Sequence, residues 1–153
     1  MIFTITTDIS VMKNILMDNF IFENSSDDFC TKDMEFTSIP FIGVTVENGH
    51  KLLGLFLLDP RNTIHYEIHT CLFKGLSAID AMDIIKEGYV WLFGNFPVLK
   101  LSTYIPTFNK RAIRFAKFAG MKIEGVLTNS FQKNNKLYDQ IIMGINKEVI
   151  CQQ

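Results

Sequence analysis

The chain has 153 residues, 48% of them hydrophobic and 20% charged, which excludes a disordered tail and a low-complexity filament. That is the length of one ordinary domain, which buries about 70% of the surface its unfolded chain exposes and needs no staple. Fifteen Lys and Arg stand against sixteen Asp and Glu, a formal charge of −1, so no global positive field exists to hold nucleic acid or an acidic membrane.

Residues 1–6 alternate and are β-rich, which predicts a strand. Asp8 or Ser10 then caps a helix through about Phe20, with Ile9, Met12, Leu16 and Phe20 spaced for one face. The polar stretch 24–33 reads as a short helix or loop. Residues 41–47 and 51–58 form two strands joined by Asn48-Gly49, which tolerate the positive φ of a primed hairpin turn. The turn Asp59-Pro60-Arg61-Asn62 leads into a fourth strand over 64–73. Ser77, with Asp80 three residues on, resembles a capping box and opens a long helix. Ile79, Met82, Ile85, Tyr89 and Leu92 form its apolar stripe, while Asp80, Asp83, Lys86 and Glu87 face away. A fifth strand covers 98–105. Pro106-Thr107-Phe108-Asn109 opens a basic helix to Ala119, which Gly120 ends. Two strands, 122–128 and 137–145, close the chain around a polar loop at 132–135. Pro40, Pro60, Pro97 and Pro106 each fall where a pattern stops.

This order is α+β with a mixed sheet. The strand–helix–strand step at 64–105 implies one parallel pair, right-handed by the general rule, and the hairpins imply antiparallel pairing elsewhere. The three cysteines, Cys30, Cys71 and Cys151, are too scattered for a disulfide framework or a paired-cysteine zinc site, so a reducing cytoplasm is the simplest compartment. The N-terminus lacks a signal-peptide pattern. The longest apolar run, 52–58, falls far short of the ~18 residues that suggest a membrane span.

On this order, Asn109-x-x-Ala112-x-x-Phe115 followed by Phe118-Ala119-Gly120-Met121 resembles the Asn-led helix of the GNAT acetyltransferases. Glu124-Gly125, Tyr138-Asp139 and Met143-Gly144 resemble the closing strands of Rim-type protein N-acetyltransferases. His65-Tyr66-Glu67-Ile68-His69 resembles the fourth strand of GNAT-like proteins of tailed phages. The resemblance covers about residues 41–145. It implies one GNAT-like domain over 1–153: a central mixed, mostly antiparallel sheet of six to seven strands flanked by helices, with the fourth and fifth strands splayed. It also implies an acyl-CoA-dependent N-acyltransferase, most simply moving acetyl from acetyl-CoA directly to a primary amine of a protein or small molecule.

The residues that would carry this chemistry can be named. Strand alternation puts His65, Glu67, His69 and Cys71 on one face. The resemblance implies that Glu67, or a water it holds, takes the proton of the amine, with a His as the alternative. Metal ligation and a plain polar sheet surface are the competing readings. No further Cys/His cluster accompanies these residues, and no metal is assigned. The resemblance further implies that backbone groups of Ile68, His69, Thr70, Cys71 and Leu72 pair with pantetheine amides. Lys74, Gly75, Leu76, Ser77 and Ala78 precede the long helix, where unpaired N–H groups suit a pyrophosphate; an ordinary Ser cap is the other reading. Asn109 and Lys110 open a helix that also carries Arg111, Arg114 and Lys117. In the family this helix flanks CoA, and otherwise it is a solvated basic face with Asn109 as its cap. Tyr104 on the fifth strand is the candidate general acid for the leaving thiolate. Phe20, Phe22, Phe29, Phe36 and Phe41 belong to the core, to an acceptor pocket or to a partner surface.

The sequence also departs from the family pattern. The loop 73–78 is short and lacks the usual Arg, Ala116 stands where many members carry a helix Tyr, and Met121 replaces a Phe. These departures motivate a second expectation: a GNAT-shaped phage accessory, head-assembly or virion protein that works through protein contacts without transfer. A homodimer through sheet edges or the strand 141–145 is a further expectation.

Overall fold

The computed structural model describes residues 1–34 and 41–150. Phe36, Pro40 and Cys151 lie outside the described residues. The elements run β1 (Ile2–Thr6), α1 (Ile9–Leu16), α2 (Asn19–Ser25), β2 (Ile42–Asn48), β3 (Lys51–Pro60), β4 (His65–Leu72), α3 (Ala78–Asn95), β5 (Lys100–Pro106), α4 (Lys110–Phe118), β6 (Lys122–Lys133), β7 (Lys136–Asn146) and α5 (Lys147–Ile150). Seven strands form one sheet in the order β1-β2-β3-β4-β5-β7-β6. Only β4 and β5 pair in parallel. The α+β class and the single parallel pair are those the sequence order predicts.

Helices cover both faces of the sheet. On one, Met12 and Ile15 of α1 and Ile21 of α2 pack against Leu55, Leu57 and Cys71. On the other, Ile84 and Leu92 of α3 and Ile113 of α4 pack against Phe56, Leu58, Ile68, Leu101 and Met143. The period-two alternation of β4 therefore sends Tyr66 and Ile68 to the α3–α4 face. Glu67, His69 and Cys71 go to the α1–α2 face. Among the described residues, no helix is long and apolar enough to cross a membrane.

Three local expectations change. The helix expected over 8–20 is two helices. Asp8 Oδ1 accepts the N–H of Ser10 at 2.8 Å and caps α1. Asp18 Oδ1 accepts the N–H groups of Phe20 and Ile21 at 3.0 and 3.2 Å and starts α2 in a new direction. Apolar spacing runs unbroken across this point, so periodicity alone conceals the break. The apolar stripe of α3 is also rotated: Ala81, Ile84, Ile85, Gly88, Tyr89, Leu92 and Phe93 are buried. Ile79, two residues and about 200° from Ala81, is 67% exposed. Finally, the last hairpin is longer than expected. Its turn falls at Asn134 and Asn135, both at positive φ (53° and 57°), which asparagine tolerates.

Gly88 is where α3 comes closest to the sheet. A Cβ there would enter the Phe56 ring, 2.6 Å from its Cζ, and Phe56 is fully buried with nowhere to move. Alanine is the better helix former by about 1 kcal/mol, but overpacking costs about 1–3 kcal/mol. We predict that the clash wins. Gly88→Ala is expected to lower the urea midpoint at unchanged m-value; a raised midpoint would show that the helix shifts freely.

Candidate functional site

The site begins with a ladder that stops. β4 and β5 pair only at His65↔Lys100, Tyr66↔Leu101 and Glu67↔Ser102. Beyond Glu67, β4 stays with β3 as far as Gly54↔Leu72, while beyond Ser102, β5 stays with β7 as far as Pro106↔Gln140. Each strand keeps its outer neighbour and loses its inner one. The inner backbone N–H and C=O groups of both strands then have no ladder partner, which makes them binding groups. The wedge opens into a cleft of about 280 Å³. On the α3–α4 face its walls include Leu72, Ala81, Ile85, Tyr89, Ala112 and Phe115. On the α1–α2 face they include Phe20, Ile21 and Asn24 of α2, with Phe131 and Gln140 of the last hairpin. The cleft thus has walls on both sides of the sheet.

At the apex lies a charged cluster organised by the β3–β4 turn. Asn62 Oδ1 accepts the N–H groups of Ile64 and His65 at 3.0 and 2.9 Å. The N–H groups of Arg61 and Asn62 donate to the His65 carbonyl at 2.9 and 3.2 Å. This turn aims Arg61 back along β4. Its Nε donates to Glu67 Oε2 at 3.0 Å, a second guanidinium nitrogen bonds the same oxygen, and the third lies 3.2 Å from Asp59 Oδ2. His69 Nε2 is 3.2 Å from the other carboxylate oxygen of Glu67. Glu67 is 4% exposed. Burial pushes its carboxyl up, but the hydrogen bonds from His69 and Arg61 outweigh burial and hold it below the ordinary glutamate value. Both members of the pair line the cleft, and His69 is the more exposed, with 41% of its side chain accessible against 6% for Glu67. Phe41 packs edge-on to its ring at 5.9 Å. His65 Nε2, in the first paired position of β4, lies 2.7 Å from Ser102 Oγ, in the last paired position of β5, and ties the two strands together across the ladder. Burial pushes the Cys71 thiol up to about 12, so it stays protonated and is a poor nucleophile. The Tyr89 phenol is likewise pushed up by burial.

The other sequence-derived candidates fall around this cleft. Tyr104, Thr70, Leu72, Leu76 and Asn109 line it together with Glu67, His69 and Cys71. Ile68 points into the core on the α3–α4 face, so only its backbone is available to the wedge. Lys74 and Gly75 form an exposed turn, with Gly75 at φ 103° and open space around it. Ser77 Oγ caps α3 by accepting the Asp80 N–H at 3.0 Å. Ala78, the first residue of α3, lines a second groove with Arg111, Arg114 and Phe118. Asn109 Oδ1 caps α4 through the Ala112 N–H at 3.1 Å, and its Nδ2 donates to the Asn24 carbonyl at 3.4 Å. Lys110 is exposed at the start of α4. Sequence reasoning gave no role to the Arg61 side chain, Asn24 or Gln140, and read Tyr89 as core only. The turn motif 59–62 marked the place of Arg61, but nothing in it reports that its guanidinium folds back on Glu67.

No protein-family model matches the sequence, and no curated protein is similar to it at sequence level. Solved structures are similar in fold. A spermidine N-acetyltransferase from Vibrio cholerae in complex with CoA and spermine has a TM-score of 0.74 at 16% identity, over 97% of this chain and 98% of that one. A ribosomal-protein-alanine N-acetyltransferase from Brucella melitensis has a TM-score of 0.71 at 14% identity, over 95% and 99%. The chain has the fold of the GNAT acetyltransferases: a seven-stranded mixed sheet with β4 and β5 parallel, flanked by helices.

The Arg61–Glu67 pair makes a prediction about acid stability. Arg61 is half exposed, so the pair is screened and contributes less than a fully buried one. Arg61→Met is expected to cost about 1–2 kcal/mol at neutral pH. A carboxyl held low when folded stabilises the fold above its unfolded value, about 4.3 for glutamate. That stabilisation is lost as pH falls through the folded value. The gap between wild type and Arg61→Met in urea titrations should therefore be present at pH 7 and close in acid. A gap independent of pH would assign the loss to packing of the Arg61 stem.

Proposed function

We propose that the chain is an acetyl-CoA-dependent N-acetyltransferase that moves the acetyl group directly to a primary amine. The observation that carries this reading is the wedge between β4 and β5, whose facing backbone groups lack ladder partners and open on both faces of the sheet. An arm bearing amides satisfies such groups as a further strand would. Acetyl-CoA would supply the thioester carbonyl carbon, a C–N bond forming to the amine as the C–S bond breaks. Strand N–H groups near residues 68–72 pair with the pantetheine arm and face the carbonyl oxygen as charge develops on it. The turn of Lys74 and Gly75, with the start of α3 at Ser77 and Ala78, receives the pyrophosphate, and Asn109, Lys110 and Arg114 of α4 flank it.

An ammonium has no lone pair, so the amine must lose a proton before or during attack. In this reading the Glu67–His69 pair takes that proton. Arg61 fixes the carboxylate, the carboxylate holds His69 Nε2, and His69 reaches the cleft. Tyr104, across the wedge on β5, returns a proton to the departing thiolate. No enzyme-bound acyl group is needed, in keeping with the protonated Cys71 thiol.

Two measurements test this. Calorimetry with acetyl-CoA and free CoA is expected to show micromolar binding, weakened at least tenfold by Lys74→Glu or Ser77→Asp. Absence of binding at millimolar ligand would sink the transferase reading and favour a GNAT-shaped accessory protein. Glu67→Gln is expected to lower kcat by about 10²-fold or more while leaving CoA affinity almost intact. Unchanged turnover would remove Glu67 from the proton path.

A further inference from the structure

The acceptor side of the cleft has its own chemistry, and the inference drawn from it rests on the transferase reading. Its walls are largely aromatic and apolar. Phe20 and Ile21 come from α2, Tyr104 from β5 and Phe131 from β6, where Phe131 is fixed 5.8 Å from the Phe108 ring. Asn24 and Gln140 add uncharged hydrogen-bonding groups. Among the described residues lining the cleft, Glu67 is the one carboxylate, and Arg61 and His69 already occupy both of its oxygens. The cleft also carries a cation, Arg111, held between the rings of Phe20 and Phe115 at 5.4 and 5.2 Å. A molecule with several ammonium groups would meet Arg111 and find no unpaired carboxylate among these residues. An amine on a flat apolar body would meet ring faces instead, and desolvation on entry would favour its neutral, nucleophilic form.

We propose that the acceptor is a monoamine carried on an apolar, aromatic body rather than a polyamine, and that Phe131 and Gln140 set this preference. The test compares acetyl transfer to 2-phenylethylamine and to spermidine at one pH and salt concentration. The expected kcat/KM is at least tenfold higher for phenylethylamine. Phe131→Ala, with Phe131→Leu as the milder change should the first fail to fold, is expected to raise KM for phenylethylamine by about tenfold, the equivalent of one aromatic contact. Its kcat and its CoA affinity should hardly move. Gln140→Glu supplies the missing charge and is expected to raise kcat/KM for spermidine by about tenfold. Equal or better use of spermidine by the wild type overturns the proposal, as does acetylation of neither amine by protein that binds CoA. Failure to bind CoA overturns the transferase reading itself, and calorimetry separates the two failures.

Discussion

The structure turns on three residue pairs. β4 and β5 hold each other only from His65 to Glu67, and everything assigned to the site follows from their parting. The split is stable because each strand is bonded along its whole length on the other side, β4 to β3 and β5 to β7. A strand that loses one neighbour becomes an edge, and an edge seeks a partner. Here the two new edges face each other inside the sheet, walled by α3 and α4 on one face and roofed by α2 on the other. The wedge therefore has a use for an extended, amide-bearing ligand that an ordinary sheet interior lacks. The His65–Ser102 contact braces the short ladder behind its apex, from the first paired residue of β4 to the last of β5.

The carboxylate at that apex is a compromise between two environments. Glu67 is buried, which by itself would neutralise it. Arg61 and His69 keep it charged. A carboxylate held low is a weak base on its own, which is why the proton path is drawn through His69 as well. The pairing also fixes a polarity: Arg61 reaches Glu67 from the β3–β4 turn at one end, and His69 opens to the cleft at the other. Ion pairing of this kind determines what can bind beside it, because the charge of Glu67 is already answered within the protein.

The order of elements was legible because local chemistry marked nearly every boundary. The Ser77 cap, Asn109 and Gly120 stand where the sequence put them, while the first hairpin turn falls one residue later than Asn48-Gly49, on Gly49 and His50, with Gly49 at φ 62°. The alternation along 65–71 correctly brought Glu67, His69 and Cys71 to one face. What stayed hidden depended on other parts of the chain. The apolar spacing from Ile9 to Phe20 suits one helix as well as two, and only Asp18 in its capping geometry decides. The stripe of α3 was drawn from Ile79, whereas the facing sheet selects Ala81, Ile84 and Gly88, where Phe56 leaves no room for a side chain. The wedge was expected from resemblance, and Phe20, Tyr104 and Asn109 were expected beside it; Asn24, Phe131 and Gln140 were not, since they come from α2, β6 and β7, far apart in sequence.

The roof over the acceptor side is tied down at several independent points. Arg111 stacks on Phe20, Asn109 donates to the Asn24 carbonyl, and Lys133 Nζ donates to the Ser26 carbonyl at 2.7 Å. Asp28 accepts the N–H groups of Asn134 and Asn135 at 2.6 and 2.7 Å, joining the segment after α2 to the tip of the last hairpin. The first two of these ties bind α2 to α4 and its cap, and the others bind the segment after α2 to the last hairpin. In the proposed reaction two partners occupy the cleft together, one from each face of the sheet, with their reacting atoms meeting where β4 and β5 part. Direct transfer requires this arrangement, since much of its rate comes from holding two reactants in one geometry.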